Sequence, residues 1–304
     1  MNKDTLKKWI NNPWKIAISF ARRGWLNYLP DRAYLSILYR ASLKKKLNWK
    51  NPKTFNEKMQ WLKVYAHKPL YCIMVDKYEV KQYVSGVIGD NYVVPTVGGP
   101  WNNFEDIDFD ALPEQFVLKT THDCGGVVIC KDKSTFDREK VKKFLQKHMQ
   151  RNYFFHCREW PYKGVVPRIF AEKFISDEVN PILPVYKIFC FNGCPRIIQA
   201  IMNDKQTNET VDYYDTQWEK LFLKQNFPNN ENPLPKPRNL EIMLSIAKEL
   251  SQGHAFIRID LYEANNQILF SEFTFYSDAG FAKFEPEEWD EVLGSWIELP
   301  KAGK

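Results

Sequence analysis

Apolar and aromatic residues over the first part of the chain recur at helical spacing: Trp25, Tyr28 and Leu29, then Leu35, Leu38 and Tyr39, with Pro30 and Pro52 as punctuation. This predicts a helical lobe over residues 1–65. A further helix is expected over about 75–85, stopped by Gly86 and Gly89 before a short strand at Tyr92–Pro95, within an α/β lobe spanning 66–115. From Phe116 the period changes. Runs at 116–118, 127–130, 168–175, 186–191 and 196–202 are short and rich in β-branched and aromatic residues, and a helical stretch at about 138–149 interrupts them. Residues 116–202 therefore read as a sheet-based lobe, with Asn192-Gly193 as a hairpin turn. In the C-terminal lobe, 203–304, a proline-rich connector at 227–237 leads to one apolar helix face (Leu240, Met243, Leu244, Ala247, Leu250) that ends at Gly253. Two apolar strands follow, at 256–262 and 268–274. The fold class expected is α+β.

Composition adds bounds. With 304 residues, 44% hydrophobic and 15% aromatic, the chain has material for several packed lobes. The most membrane-like run, Ile16 to Ala21, is broken by Ser19 and flanked by Lys15, Arg22 and Arg23, far short of the roughly 18 to 20 apolar residues that span a bilayer. The N-terminus has lysines but no apolar run with a small-residue cleavage site, so a cytoplasmic protein is expected. The six cysteines form no CxxC pair, which points away from zinc ribbons and disulfide frameworks. The net charge of +6 is concentrated before residue 63. Such a surface suits a polyanionic substrate or anionic lipid, or is a solvated helix face. No nucleic-acid-binding module accompanies it.

Two segments carry the chemistry. Phe116-Val117-Leu118-Lys119 leads into Thr120-Thr121-His122-Asp123-Cys124-Gly125-Gly126, a strand that ends in a lysine before a glycine loop. A lysine there calls for an anion, and loop N–H groups beside glycines can approach phosphate. An ordinary Gly-Gly turn beside an edge lysine would look similar. In the second segment, Arg258, Asp260 and Glu272 sit on two strands joined by Glu263–Gln267. Both carboxylates can then share one face and a Mg²⁺ ion, or be neutralised by Arg258 in an ion network. Glu172-Lys173-Phe174-Ile175 ends a strand and could offer backbone groups to adenine.

In this order, Lys77, Lys119, the glycine loop, the 172–175 hinge and the late carboxylate hairpin resemble the ATP-grasp superfamily. The fuller similarity is to its TupA-like branch, associated with bacterial surface-polysaccharide loci, through Asn51–Lys58, Val75-Asp76-Lys77-Tyr78, Arg158–Tyr162 and Glu287–Asp290. The resemblance implies an ATP-grasp fold with ATP between two α+β lobes. It implies that Lys77 and Lys119 bind ATP phosphates and that the loop around His122, Gly125 and Gly126 closes over them. It places the hinge of Glu172, Lys173 and Ile175 at the adenine. Asp260 and Glu272 would hold Mg²⁺, Arg258 would face the transferring phosphoryl group, and Lys187 would be a further phosphate or acyl-phosphate contact. Thr274 stands where many relatives have an asparagine that helps hold a second metal.

The implied chemistry is ATP-dependent carboxylate–amine ligation through an acyl phosphate. The expected substrates are an acidic glycan or lipid-linked saccharide and a small amine, with peripheral contact to the membrane or to other polysaccharide enzymes. One rival is a glycosyltransferase using Asp106-Ile107-Asp108 as a metal-binding DxD; another is a non-catalytic nucleotide- or glycan-binding protein.

Overall fold

The computed structural model describes residues 13–177, 183–204 and 206–301. Two antiparallel sheets organise it. The smaller contains β1 (Thr96–Trp101), β2 (Phe116–Thr120), β3 (Val127–Cys130) and β4 (Ile169–Lys173), in the order β1-β4-β2-β3. The larger contains β5 (Val185–Phe191), β6 (Cys194–Met202), β7 (Thr210–Tyr214), β8 (Phe256–Ala264) and β9 (Gln267–Thr274), in the order β7-β6-β5-β8-β9. The helices are α1 (Pro13–Arg22), α2 (Asp31–Leu43), α3 (Phe55–Tyr65), α4 (Leu70–Val75), α5 (Glu79–Ile88), α6 (Arg138–Met149), α7 (Phe154–Cys157), α8 (Leu240–Leu250) and α9 (Trp289–Ser295). Among the described residues, no helix is long and apolar enough to cross a membrane.

The two sheets part between Lys173 and Val185, not at residue 202. β5 is buried at all but one position and lies between β6 and β8. A strand so apolar needs a neighbour on each edge, and the hairpin at Asn192-Gly193, with φ of 49° and 78°, supplies only one. Helix α3, expected with the N-terminal lobe, likewise joins the larger core through Phe55, Met59 and Leu62. Thr54 and Glu57 cap it reciprocally. It packs on α9, where a Cβ on Gly294 would lie 2.2 Å from the Lys53 carbonyl oxygen.

Two elements differ from the periodicity. The helix expected over 75–85 begins later, at Glu79, because α4 ends at Val75 and the Asp76 carboxylate accepts hydrogen bonds from the N–H groups of Tyr78 (2.9 Å) and Glu79 (3.1 Å), which starts α5 afresh. Strand β1 lies beyond Pro95, in Thr96-Val97-Gly98-Gly99-Pro100-Trp101. Its pairing with β4 is irregular, and a Cβ on Gly98 would stand 2.6 Å from the Trp101 ring. A Gly-Gly-Pro strand of this kind has no alternating signature.

Helices α1 and α2 pack on each other through Ala21, Tyr34, Leu35 and Leu38. Arg158 ties them to the rest. Its guanidinium donates to the carbonyls of Asn27 (2.7 Å) and Leu29 (3.3 Å), pairs with Asp31, and lies 4.3 Å from the Tyr34 ring centroid. Tyr34 in turn donates to the carbonyl oxygen of His156, at 3.0 Å.

Candidate active site

Strand β2 buries Phe116, Leu118 and Thr120 on one face, which leaves Val117 and Lys119 on the other. Glu172 stands directly opposite Val117 on β4, so Lys119 and Glu172 are diagonal neighbours on the same face. One oxygen of Glu172 pairs with Lys119, and the other lies 2.7 Å from Nζ of Lys81, on α5. The Glu172 side chain is only 7% exposed. Burial opposes all three charges, and the pairing decides the outcome. For Lys119 burial acts downward, but Glu172, with Tyr262 and Glu272 adding to it, holds the ammonium above its ordinary range. For Lys81 burial prevails over Glu172, aided by repulsion from Lys119, and its pKa falls. Glu172 is desolvated, yet the two lysines hold it below the usual carboxylate range. Lys81 was missed by sequence reasoning; the available signal was its place four residues after Lys77, beside Val80 and Val84 on the buried side of α5.

The glycine loop is a built structure. The N–H of Thr120 donates to the Gly126 carbonyl at 2.8 Å, and the Thr120 hydroxyl donates to Asp123, whose other carboxylate oxygen meets His148. A Cβ on Gly126 would sit 1.9 Å from the Thr120 hydroxyl oxygen, and Gly125 has φ of +96°. Lys77 is anchored here: its N–H donates to the Thr121 carbonyl (3.0 Å) and its ammonium to the Asp123 carbonyl. Asp76, beside it, also accepts from Arg168 at 2.9 Å. His122 points inward, 2% exposed, with Nε2 3.2 Å from the His148 carbonyl oxygen, and burial pushes its pKa down. Its ring supports the loop from within.

At the hinge, Glu172 contributes its side chain to the lysine pair. The Lys173 N–H is taken by the Pro95 carbonyl at 2.9 Å, so its hydrogen-bond donor is spent inside the fold. Half-buried Ile175 lies beyond the strand end. The linker that follows is fastened to the β8–β9 turn: Asn265 donates through its N–H to Asp177 (2.5 Å) and through its amide to the Ser176 carbonyl (2.9 Å).

In the larger sheet, Asn265 and Asn266 both take positive φ (49° and 61°) in a two-residue turn. Pairing outward from that turn runs regularly to Leu261 opposite Phe270, and continued unchanged it would set Asp260 opposite Ser271. A β-bulge there brings Glu272 opposite Asp260 instead, and so puts both carboxylates on one face. Lys187 opposes Asp260 from the other side, and Gln199 opposes Lys187. The polar row Gln199-Lys187-Asp260-Glu272 thus crosses four strands. One row along, Arg258 opposes Thr274. Arg258 forks onto Asp260 through Nε (2.7 Å) and Nη2 (2.8 Å), and also donates to the hydroxyls of Thr274 (3.0 Å) and Ser277 (3.2 Å). Despite burial, Asp260 first and then Glu272 and Asp278 keep its pKa raised. Lys187 is 3.8 Å from Asp260.

Among the described residues no group of three or more His, Cys, Asp or Glu converges as a metal cage. The two carboxylates fit a Mg²⁺ ion that takes its remaining ligands from phosphate and water, since each Asp260 oxygen keeps a lone pair beyond its bond to Arg258. Thr274, whose hydroxyl accepts from Arg258, is engaged by that arginine. A further carboxylate escaped sequence reasoning. Glu159, 7% exposed, is pushed up to about 7 by burial, against the opposing pull of Lys63 and Arg258. Its segment Arg158–Tyr162 carried the family resemblance, but no charge pattern marked its role. Asp106 and Asp108 stand elsewhere: Asp106 accepts from the Asn103 N–H (3.0 Å) and Asp108 from the Asp110 N–H (3.0 Å), in an exposed loop of the smaller lobe.

A family model described as TupA-like ATPgrasp matches residues 57–298. Among curated proteins, no sequence matches. Among solved structures the chain is similar to D-alanine–D-alanine ligase from Bacillus anthracis complexed with ATP (15% identity, TM-score 0.39, covering 67% of this chain and 54% of that one). It is also similar to D-alanine–D-alanine ligase from Helicobacter pylori (14%, TM-score 0.42, 81% and 69%) and to L-amino acid ligase from Bacillus licheniformis (15%, TM-score 0.39, 88% and 54%). The chain thus spans about half the length of the Bacillus proteins. With the family match running over most of its length and both charged sheet faces in place, this chain belongs to the TupA-like ATP-grasp family and has that family's α+β fold.

Proposed function

We propose that the protein is an ATP-dependent carboxylate–amine ligase of bacterial surface-polysaccharide synthesis, joining an amino acid or amino sugar to a uronic acid or similar carboxylate. The observation that carries the reading is the pair of opposed charged surfaces: Lys119 and Glu172 on the smaller sheet with Lys81 of α5 beside them, and Lys187, Arg258, Asp260 and Glu272 on the larger, with Glu272 close enough to act on Lys119. In the reaction proposed, a substrate carboxylate oxygen attacks the γ-phosphorus of ATP, the bond to the β–γ bridging oxygen breaks, and ADP leaves with the electron pair. An amine then attacks the acyl carbon, phosphate departs, and the nitrogen loses a proton as the amide forms.

The residues divide the work by position. Lys77, Lys81 and Lys119 offer cations to the phosphates from the smaller lobe, and Arg258 and Lys187 offset the charge gathered where two anions meet. Asp260 and Glu272 would hold Mg²⁺, which when bound supplies further neutralisation of phosphate charge. No side-chain nucleophile is needed. The glycosyltransferase reading has less support because Asp106 and Asp108 lie in an exposed loop, each accepting loop N–H groups, and neither belongs to the opposed charged surfaces.

The test compares Mg-dependent ATP binding and ADP formation with binding of a panel of nucleotide sugars, for the wild type, Lys119→Ala and Glu272→Ala. ATP binding lost in Lys119→Ala, with ADP formed only when an acidic saccharide and an amine are both supplied, supports ligation. Tight binding of a nucleotide sugar without any of ATP overturns it.

A further inference from the structure

The N-terminal helices and the chain after α6 border an open cavity of about 650 Å³, at which Arg22, Arg23 and Arg151 are all exposed. Three guanidiniums line it: Arg22 at the end of α1, Arg23 next to it, and Arg151 just beyond α6. Among the described residues, arginine ion pairs are made by Arg138, Arg158, Arg168 and Arg258, and not by these three. Arg23 lies 5.6 Å from the Trp25 ring centroid, a contact that leaves its charge uncompensated. Like charges gathered at one open cavity repel through solvent, and an anion that joins them relieves that repulsion. His156, on the same wall, records the field: burial first, then Arg22, Lys63 and Arg151, lower its pKa.

The cavity adjoins the reaction centre. Exposed Cys124 of the glycine loop and half-buried Tyr153 line it. Tyr153 is in turn within electrostatic reach of Cys124, Glu159 and Glu272. The volume suits a ligand of one or two sugar rings, with the Tyr153 and Phe155 rings as apolar surface and three planar forks matched to carboxylate or phosphate oxygens.

We infer that this cavity binds the carboxylate-bearing substrate, and that this substrate carries at least one further anionic group, a carboxylate or a phosphate, held by Arg22, Arg23 and Arg151. The position of the reacting carboxylate rests on the ligase reading; the anion site does not.

The test is calorimetric titration at low salt with trigalacturonate, inorganic pyrophosphate and neutral maltotriose, using the wild type, the Arg22→Gln/Arg151→Gln double variant and Arg23→Gln. Lys119→Ala is the control that removes phosphate binding in the ATP cleft, and ATP affinity is measured for every variant. At least one anionic probe should bind the wild type and Lys119→Ala, while maltotriose does not. Affinity should fall roughly tenfold or more in the double variant and several-fold in Arg23→Gln, with ATP affinity unchanged. Which probe binds separates a carboxylate from a phosphate partner. If the double variant does not fold, Arg23→Gln decides alone. Equal binding by the arginine variants, equal binding of maltotriose, or no binding of either anion overturns the inference. Arginine-dependent anion binding by a protein that does not bind ATP would sink the ligase reading and leave the anion site standing.

Discussion

The charged surfaces of the two sheets are assembled in opposite ways. On the smaller sheet Lys81, Lys119 and Glu172 come from α5, β2 and β4, separated along the chain, and meet only because the lobe packs. On the larger sheet Arg258, Asp260, Glu272 and Thr274 lie on one hairpin, and Lys187 on the strand beside it, so register alone brings them together. The first set closes on itself, with both oxygens of one buried carboxylate taken by lysines. The second leaves Glu272 and Lys187 half-buried around the Arg258–Asp260 fork. Damage to the first should therefore register as lost stability along with weakened ATP binding, and damage to the half-buried Glu272 of the second as lost chemistry.

The largest effect expected is at Glu272. Glu272→Gln should lower ADP formation by about 10²–10³-fold, the scale of removing one preorganised charge contact, with little change in melting temperature. Asp260→Asn should lose activity to the same degree and also unfold more easily, because the nearly buried Arg258 would lose its paired charge. A stability loss in Glu272→Gln as large as that in Glu172→Gln would break the contrast between the sheets.

Next in size is Glu172→Gln. It leaves two partly buried ammoniums without their counter-charge, which should cost about 2–3 kcal/mol in urea unfolding, below the scale for a fully buried pair. Saturating Mg-ATP should recover part of that loss if phosphates take the place of the carboxylate. Lys81→Met keeps the Lys119–Glu172 pair and should cost less. An unchanged midpoint for Glu172→Gln would mean the triad is not a structural unit.

The same contrast explains what could be read from the chain. The hairpin was legible because a short polar turn, Glu263–Gln267, between alternating strands makes Asp260 and Glu272 neighbours by local geometry alone. The bulge that puts them on one face was not, since nothing in Leu269–Thr274 marks the extra residue. Lys119 and the glycine loop were legible as a strand-to-turn pattern, whereas Lys81 and Glu159 were not. A lysine on an amphipathic helix reads as surface until packing buries it, and a lone glutamate among aromatics declares no partner. The sheet boundary was hidden similarly, because β5 and β6 carry the same apolar pattern whichever sheet they join.

Glu159, within electrostatic reach of Lys63 and Arg258, tests the surroundings of the larger-sheet set by pH. Its folded pKa, about 7, stands above the ordinary carboxylate value because burial disfavours the charge. A raised pKa means that its contribution to stability is fully present below about pH 4.5 and is lost as pH rises through about 7. Glu159→Gln should therefore match the wild type near pH 4.5 and exceed it by about 3 kcal/mol at pH 8. Parallel stability–pH curves for the two proteins would place the ionised carboxylate in a more polar setting.

The smallest effect belongs to the loop outside both surfaces. Asp106→Asn with Asp108→Asn should leave ADP formation within about twofold, because neither residue belongs to the charged faces on which turnover depends. Asparagine keeps an oxygen for the N–H groups of Asn103 and Asp110, and caps of these types differ by well under about 1 kcal/mol. Alanine at both positions removes those acceptors and should cost about 1 kcal/mol, still without changing turnover per folded molecule. Loss of activity in the asparagine pair with stability intact would instead mean that the two carboxylates act as charges, as glycosyl transfer through a DxD would require. The division between a nucleotide face and a metal face would then describe the fold but not the reaction.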